Sequence, residues 1–230
     1  MPVYVFYGDN DPEFIWEKEP AKVLLLSRSE ALRACNAGDH VLISDEDSDL
    51  IVKTDGSIIC YARCKAARKI SFSVFPDFEK APEGFVMIST DERGVALYES
   101  TELLRNEAIA SLKCISPSDG NEDAVYELTA DHLQTADDVY LNLDYAGYTA
   151  EIRKAGKKIA DNFYIQGKWQ IGTRALAEHE SDQLSAELHI KPLSEGQRVY
   201  IYHHPEMKNG FAAEALSVST EAQYIREIRK

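Results

Sequence analysis

The residues best suited to bind a ligand lie in one region, where two predicted strands are joined by a polar loop. Asp161, Asn162, Tyr164 and Trp169 combine two side chains that bind hydroxyl groups with two aromatic rings. Sugar rings stack on aromatic faces, and carboxylates or amides bind their hydroxyls. The four residues are therefore candidates for a carbohydrate-binding platform. The alternative, which we favour because aromatic residues beside tight turns generally pack inward, is that Phe163 and Trp169 close one end of a sandwich while the polar pair bonds loop backbone.

The acidic run 45–49 has the alternating carboxylates with which a calcium-binding loop begins. Such a loop requires glycine at its sixth position and glutamate at its twelfth. The chain has Leu50 and Gly56 at these positions. We therefore interpret the run as a solvated turn between strands.

The cysteine and histidine pairs are also poorly arranged for a metal ion. Cys60 and Cys64 have no second ligand pair near them, which a zinc site requires, and we expect buried thiols in a strand. His203 and His204 are adjacent, so their side chains point to opposite sides of an extended backbone. The sequence predicts no metal site and no cofactor.

We expect no catalysis from this chain by itself. It lacks the Gly-x-Ser-x-Gly elbow, the P-loop and the dinucleotide-binding fingerprint. A glycosidase needs two carboxylates about 5–10 Å apart across a pocket. The chain has 39 acidic residues, so composition alone identifies no such pair.

Residues 139–172 have the pattern of half-buried antiparallel strands. Apolar residues occupy every second position over 139–145, a period that places them on one face of a strand. Glycine-containing turns follow at 146–147 and 155–157. The spacing predicts an antiparallel meander whose apolar face packs against a second sheet.

Similar alternation recurs along most of the chain, with turn-forming residues between the apolar runs. Residues 29–36 have helical character, and Ser27 with Glu30 forms the capping-box pattern that begins a helix. The pattern over 222–228 fits either a strand or a short helix. We predict an all-β protein made of antiparallel β-sandwich or jelly-roll domains with one or two short helices.

The segment 116–123 is the best candidate for a linker, because it consists of turn-forming, polar and acidic residues without an apolar anchor. At 230 residues, the chain is long enough for two small domains with separate cores. We therefore predict a β-rich N-terminal domain over 1–117 and a β-sandwich over 118–230.

The charge of the chain argues against two classes of partner. Its 25 Lys and Arg residues face 39 Asp and Glu residues, which gives a net charge of −14. Such a surface repels nucleic acid and anionic membranes. No apolar run reaches the ~20 residues of a membrane span. The N-terminus also lacks the basic and apolar segments of a signal peptide. We expect a cytoplasmic protein that binds neither nucleic acid nor membrane.

Residues 139–172 also resemble a known family. The pattern is Asp-Tyr-x-Gly, a turn with Gly-Lys, then Ala-Asp-Asn-Phe-Tyr and Trp-x-Ile-Gly. It is carried by Asp144, Tyr145, Gly147, Gly156, Lys157, Ala160, Asp161, Asn162, Phe163, Tyr164, Trp169, Ile171 and Gly172. The pattern is similar to the C-terminal β-sandwich region of bacterial family 35 glycoside hydrolases, the β-galactosidase-type enzymes.

The resemblance implies a sandwich without catalytic residues, because the catalytic glutamates of that family lie in a (β/α)₈ barrel. A barrel needs about 250 residues of alternating strands and helices, and this chain lacks them. The resemblance thus implies an accessory region that supports a catalytic glycosidase domain or carbohydrate recognition. Two alternatives stay open. One is a free-standing carbohydrate-binding module, and the other is a structural or assembly protein, such as a homo-oligomer, without a small ligand.

Overall fold

The structure of the chain, a computed structural model, describes residues 3–8, 16–18, 21–176, 181–197, 199 and 204–229. Helices among these residues are limited to α1 (Arg28–Ala31) and two 3-10 helices, Leu133–Thr135 and Thr173–Ala175. The chain is therefore an all-β protein built mainly of antiparallel sheets, as the alternation predicts. None of the described helices has the length and apolar character that crossing a membrane requires.

The strands are numbered in chain order. They are β1 (Val3–Gly8), β2 (Trp16–Lys18), β3 (Ala21–Ser27), β4 (Ala34–Ala37), β5 (His40–Ser44), β6 (Ser48–Val52), β7 (Ile58–Cys64), β8 (Ser71–Phe75), β9 (Phe85–Thr90), β10 (Ala96–Ser100), β11 (Ile109–Ser116), β12 (Ala124–Asp131), β13 (Asp138–Ala146), β14 (Thr149–Lys154), β15 (Lys157–Phe163), β16 (Trp169–Gly172), β17 (Gln183–Lys191), β18 (Leu193–Ser194), β19 (Phe211–Ala212) and β20 (Glu214–Ile228). Residues 222–228 thus belong to a strand and not to a helix. Most of the predicted strand 199–203, including His203, lies outside the described residues.

The chain divides into two compact units. The first contains residues 1–105 and 223–230, and the second contains residues 106–222. The predicted boundary between 117 and 118 lies in the loop between β11 and β12, within the range of the second unit. Strand β20 belongs to both units, because the division falls between Ala222 and Gln223.

In the first unit, β4, β5, β8, β10 and β9 form a five-stranded antiparallel sheet in that order. A smaller sheet pairs β3 in parallel with β1 and antiparallel with β2. Buried apolar side chains from these sheets and the adjoining loop form one core, made of Leu24, Leu26, Val41, Ile43, Phe75 and Val95. The fold of this unit therefore depends on the same apolar alternation as the rest of the chain.

The predicted capping box is present, but the helix that it begins is shorter than predicted. Ser27 Oγ accepts a hydrogen bond from the Glu30 backbone N–H, and the Glu30 carboxylate accepts one from the Ser27 backbone N–H at 2.8 Å. The helix nevertheless ends at Ala31, and residues 34–37 form β4, which pairs with β5. The predicted helix over 29–36 is wrong in its second half because pairing with β5 satisfies that backbone in the sheet.

The second unit is a β-sandwich. One sheet contains β11, β12, β17, β14 and β15 in that order, and in the other sheet β13 lies between β16 and β20. Apolar side chains of both sheets meet in one core, for example Leu128 from β12, Leu188 from β17 and Leu141 from β13. Leu141 and Leu143 are fully buried, which confirms that the alternation over 139–145 marks the core face of a strand.

The predicted meander is only partly correct. Strands β14 and β15 pair as an antiparallel hairpin, but β13 and β14 lie in different sheets, as do β15 and β16. The chain crosses between the sheets at Gly147. A Cβ at this position would lie 2.5 Å from Ile190 Cγ2 and 3.0 Å from the carbonyl oxygen of Lys191. Glycine is needed here for close approach of the backbone and not for a hairpin turn.

Replacing Gly147 by alanine should lower the free energy of unfolding by about 1–3 kcal/mol, because the added methyl group overpacks the crossing. Chemical denaturation followed by far-UV circular dichroism measures the change. Gly167→Ala is the matched control, since a Cβ at Gly167 meets no atom within 4 Å. Equal stability of the two variants would contradict the close approach at Gly147.

Candidate functional site

The four predicted ligand residues do not form one surface. Asp161 and Asn162 are neighbours on β15, so their side chains point to opposite faces of the sheet. Tyr164 follows β15, whereas Trp169 begins β16 in the other sheet. The structure brings Asn162 and Tyr164 together around Tyr145, and it places Asp161 and Trp169 elsewhere.

Trp169 belongs to the hydrophobic core. The residue is 8% exposed, and it lies opposite Leu143, whose side chain is fully buried in the same core. A buried ring offers no face on which a sugar can stack. At this position the structure favours the inward-packing interpretation.

Asn162 and Tyr164 pack against Tyr145, which is also buried. The Asn162 side-chain amide donates a hydrogen bond to the hydroxyl of Tyr145, and that hydroxyl donates one to the backbone carbonyl oxygen of Asn162. Both distances are 3.2 Å. The rings of Tyr145 and Tyr164 meet edge to face with centroids 5.7 Å apart. These contacts fasten β15 of one sheet to β13 of the other.

The tyrosine at the centre of these contacts gives a prediction about alkaline stability. Burial raises the pKa of Tyr145 to about 12, against the opposing effect of the Asn162 hydrogen bond. An unfolded tyrosine titrates near about pH 10. Because the folded-state pKa is the higher one, the stabilisation from neutral Tyr145 is complete below the unfolded pKa and is lost as the pH rises through the folded pKa.

We therefore expect the urea midpoint of the parent chain to fall between about pH 10 and pH 12. Tyr145→Phe should fall less over this interval, since phenylalanine does not titrate. At neutral pH the variant should lose about 1 kcal/mol from its missing hydrogen bonds. The variant should still lose some stability at alkaline pH, because burial also raises the pKa of Tyr98 to about 12. Identical alkaline losses in parent and variant would contradict the burial of the Tyr145 hydroxyl.

Asp161 lies on the solvent-facing side of β15. Lys158 Nζ is 2.9 Å from its carboxylate and 3.8 Å from that of Glu151, which also pairs with Arg153 at 2.7 Å. Exposed ion pairs of this kind add little to stability, because solvent screens them. The group therefore sets the charge of this face more than it stabilises the sandwich.

Two exposed side chains and a half-buried tyrosine form a surface that the sequence interpretation missed. Phe163 is 66% exposed and Ile165 is 68% exposed. The ring of Tyr148 meets that of Phe163 edge to face with centroids 6.3 Å apart, and Lys191 Nζ lies 5.9 Å from the centroid of the Tyr148 ring. We call Tyr148, Phe163 and Ile165 the rim patch. Exposed rings of this kind can stack on a sugar or contact an apolar partner surface.

The alternation along the β14–β15 hairpin could have indicated the rim patch. Ala150 is fully buried and lies opposite Asn162, so Asn162 faces inward and Phe163 faces outward. Asp161 and Phe163 are two residues apart on β15, so they share its outer face. Phe163 is therefore not a plug of the sandwich, in contrast to Trp169.

Asp45 and the cysteine pair, which the sequence offered as possible metal ligands, contribute to the fold. Asp45 forms an ion pair with Arg68 and accepts hydrogen bonds from the backbone and hydroxyl of Ser71 at 3.1 and 3.2 Å. Cys60 and Cys64 are buried in β7. Within the described ranges, no group of three or more His, Cys, Asp or Glu side chains is placed to hold a metal ion.

Comparisons of the chain with models of protein families, with curated proteins and with solved structures found no match. The resemblance of residues 139–172 to family 35 glycoside hydrolases stays a prediction. The functional inference therefore rests on this resemblance together with the geometry of the sandwich and of its rim patch.

Proposed function

We propose that the chain is a non-catalytic accessory β-sandwich region of a β-galactosidase-type glycoside hydrolase. The supporting observation is the structural use of the residues that carry the resemblance. Trp169 fills the core, Tyr145 joins the two sheets, and Gly147 permits the crossing between them. A motif whose residues build the frame fits a region that supports a catalytic domain and performs no chemistry itself.

The absence of chemistry is tested by incubating the purified chain with a chromogenic galactoside. We expect no turnover, with an active β-galactosidase as the positive control. Turnover that disappears when a pair of carboxylates is replaced would contradict the proposal.

The accessory role is tested by sequencing the natural transcript on both sides of the segment that encodes these residues. We expect it to encode a catalytic barrel with paired glutamates in the same polypeptide. A transcript that encodes this chain alone would exclude the accessory role and leave the non-catalytic sandwich intact.

The rim patch favours a second function, that of a free-standing carbohydrate-binding module. Asp161 and Phe163 place a carboxylate and an exposed ring on the same face of β15. A sugar bound there stacks on the ring while its hydroxyls bond the carboxylate. This arrangement uses only Asp161 of the four predicted residues, because Asn162 and Trp169 face the interior and the Tyr164 ring packs against Tyr145.

Calorimetric titration of the chain with a galacto-oligosaccharide tests this second function. We expect Phe163→Ala to abolish binding and Phe163→Tyr to retain it, since tyrosine keeps the stacking face. Ile115→Ala on β11, where the parent side chain is 58% exposed, is the control for a general surface effect. Affinity that is unchanged by Phe163→Ala would exclude the rim patch as a sugar site.

A further inference from the structure

Strand β9 leaves an apolar edge of the first unit exposed. It is the last strand of its five-stranded sheet, and within the described residues it pairs with β10 on one side. Val86, Met87 and Ile88 are 43%, 52% and 52% exposed. The sequence of β9, Phe-Val-Met-Ile-Ser-Thr, contains no charged residue and no proline.

Edge strands of soluble proteins are normally protected from pairing by charge, proline or short length. The other edge of this sheet and both edges of the β11–β12–β17–β14–β15 sheet follow this rule. β4 has four residues, whereas β11 and β15 contain Lys113 and Lys158, respectively. β9 has six residues and none of these protections. Among these edges it is the one best prepared to accept another strand.

Charge identifies the kind of strand that fits this edge. Glu83 and Glu92 are exposed on either side of β9, in a chain with a net charge of −14. The backbone N–H of Glu83 donates to the carbonyl oxygen of Arg229 at 3.2 Å, but the Arg229 side chain also pairs with Glu227, so this end of β9 keeps a net negative charge. A second copy paired antiparallel about the centre of β9 would bring Glu83 of one copy opposite Glu92 of the other. Like charges opposite each other destabilise such a pair. A strand with basic residues at both ends would instead place opposite charges there.

We propose that β9 binds an extended segment of a partner protein that has alternating apolar residues in its middle and Lys or Arg at its ends. The segment adds to the sheet as a sixth strand next to β9. The open backbone edge of β9 supplies hydrogen bonds, and the exposed side chains Val86, Met87 and Ile88 supply apolar contacts. This interaction is independent of any link to a glycoside hydrolase.

A labelled peptide, Lys-Val-Thr-Val-Thr-Val-Lys with blocked ends, tests the proposal against the whole chain by fluorescence anisotropy. We expect saturable binding that weakens as the salt concentration rises, because the terminal charges are exposed. The same peptide with glutamate in place of lysine should not bind. Ile88→Lys should weaken binding about tenfold, since it adds a charge to the centre of the edge.

Ile109→Lys is the matched control, because Ile109 is 63% exposed on β11, an edge of a different sheet. It should leave the affinity for the peptide unchanged. Circular dichroism establishes that each variant folds, and Val86→Lys replaces Ile88→Lys if the latter unfolds. Absence of peptide binding, or equal weakening by both lysine variants, would overturn the proposal. A doubled mass in light scattering that Ile88→Lys abolishes would also overturn it, since the occupant would then be a second copy.

Discussion

Replacement of Trp169 by alanine should lower the free energy of unfolding of the second unit by about 3–5 kcal/mol. The residue is 8% exposed, so loss of the indole ring leaves a cavity in the core that both sheets share. Leu143, which lies opposite Trp169, loses packing contacts as a result. Guanidinium denaturation followed by far-UV circular dichroism measures the loss without depending on the indole fluorescence that the substitution removes.

Phe163→Ala is the matched control, because it removes an aromatic ring that is 66% exposed from β15, the strand that precedes β16 in the chain. We expect it to change the free energy of unfolding by less than about 0.5 kcal/mol. The opposite ranking of the two variants would mean that Trp169 faces solvent. The inward-packing interpretation of this loop would then be incorrect.

Replacement of Leu141 by alanine should cost about 2–5 kcal/mol of stability, since it leaves a cavity at the centre of β13. Leu141 has no exposed surface, and it lies opposite Ile171 of β16 within the sandwich. Urea denaturation at neutral pH measures the change. The expected effect is large because neighbouring core residues relax only partly into the cavity.

Leu216→Ala is the control for this substitution, because Leu216 is 55% exposed on β20 of the same unit. It should change the free energy of unfolding by less than about 0.5 kcal/mol. If both leucine variants were equally stable, the alternation over 139–145 would not mark a core face.

Local alternation was sufficient to predict the strands of the sandwich, because the period of side chains along a strand depends only on the backbone. It predicted the buried face of β13 and the hairpin of β14 with β15 correctly. It did not predict the change of sheet at Gly147. In a sequence, a glycine that permits a close approach cannot be told from one that makes a turn.

Contacts between distant parts of the chain explain the other differences. The local pattern predicted a helix through residue 36, but residues 34–37 pair with β5 in a sheet. The last residues of β20 join the first unit although the rest of β20 belongs to the second. Neither outcome depends on residues that are neighbours in sequence, so neither could be predicted from a local pattern.

The sequence predicted where the candidate residues lie along the chain, but not which of them are accessible. Of the four predicted residues, Asp161 is accessible, and the accessible aromatic ring beside it is that of Phe163, which the sequence interpretation placed inside. Trp169 and Asn162 face inward because of the sheet to which each strand belongs and the register of its pairing. The register of β15 against Ala150 was the one signal that could have separated the two groups.

The solvent accessibility of Trp169 tests the central claim, that the motif residues build the frame of the sandwich, most directly. Trp16→Phe leaves Trp169 as the one tryptophan in the chain, so its fluorescence can be read alone. We predict blue-shifted emission that acrylamide quenches weakly until the chain unfolds. Emission and quenching equal to those of free N-acetyltryptophanamide in the folded chain would contradict the claim.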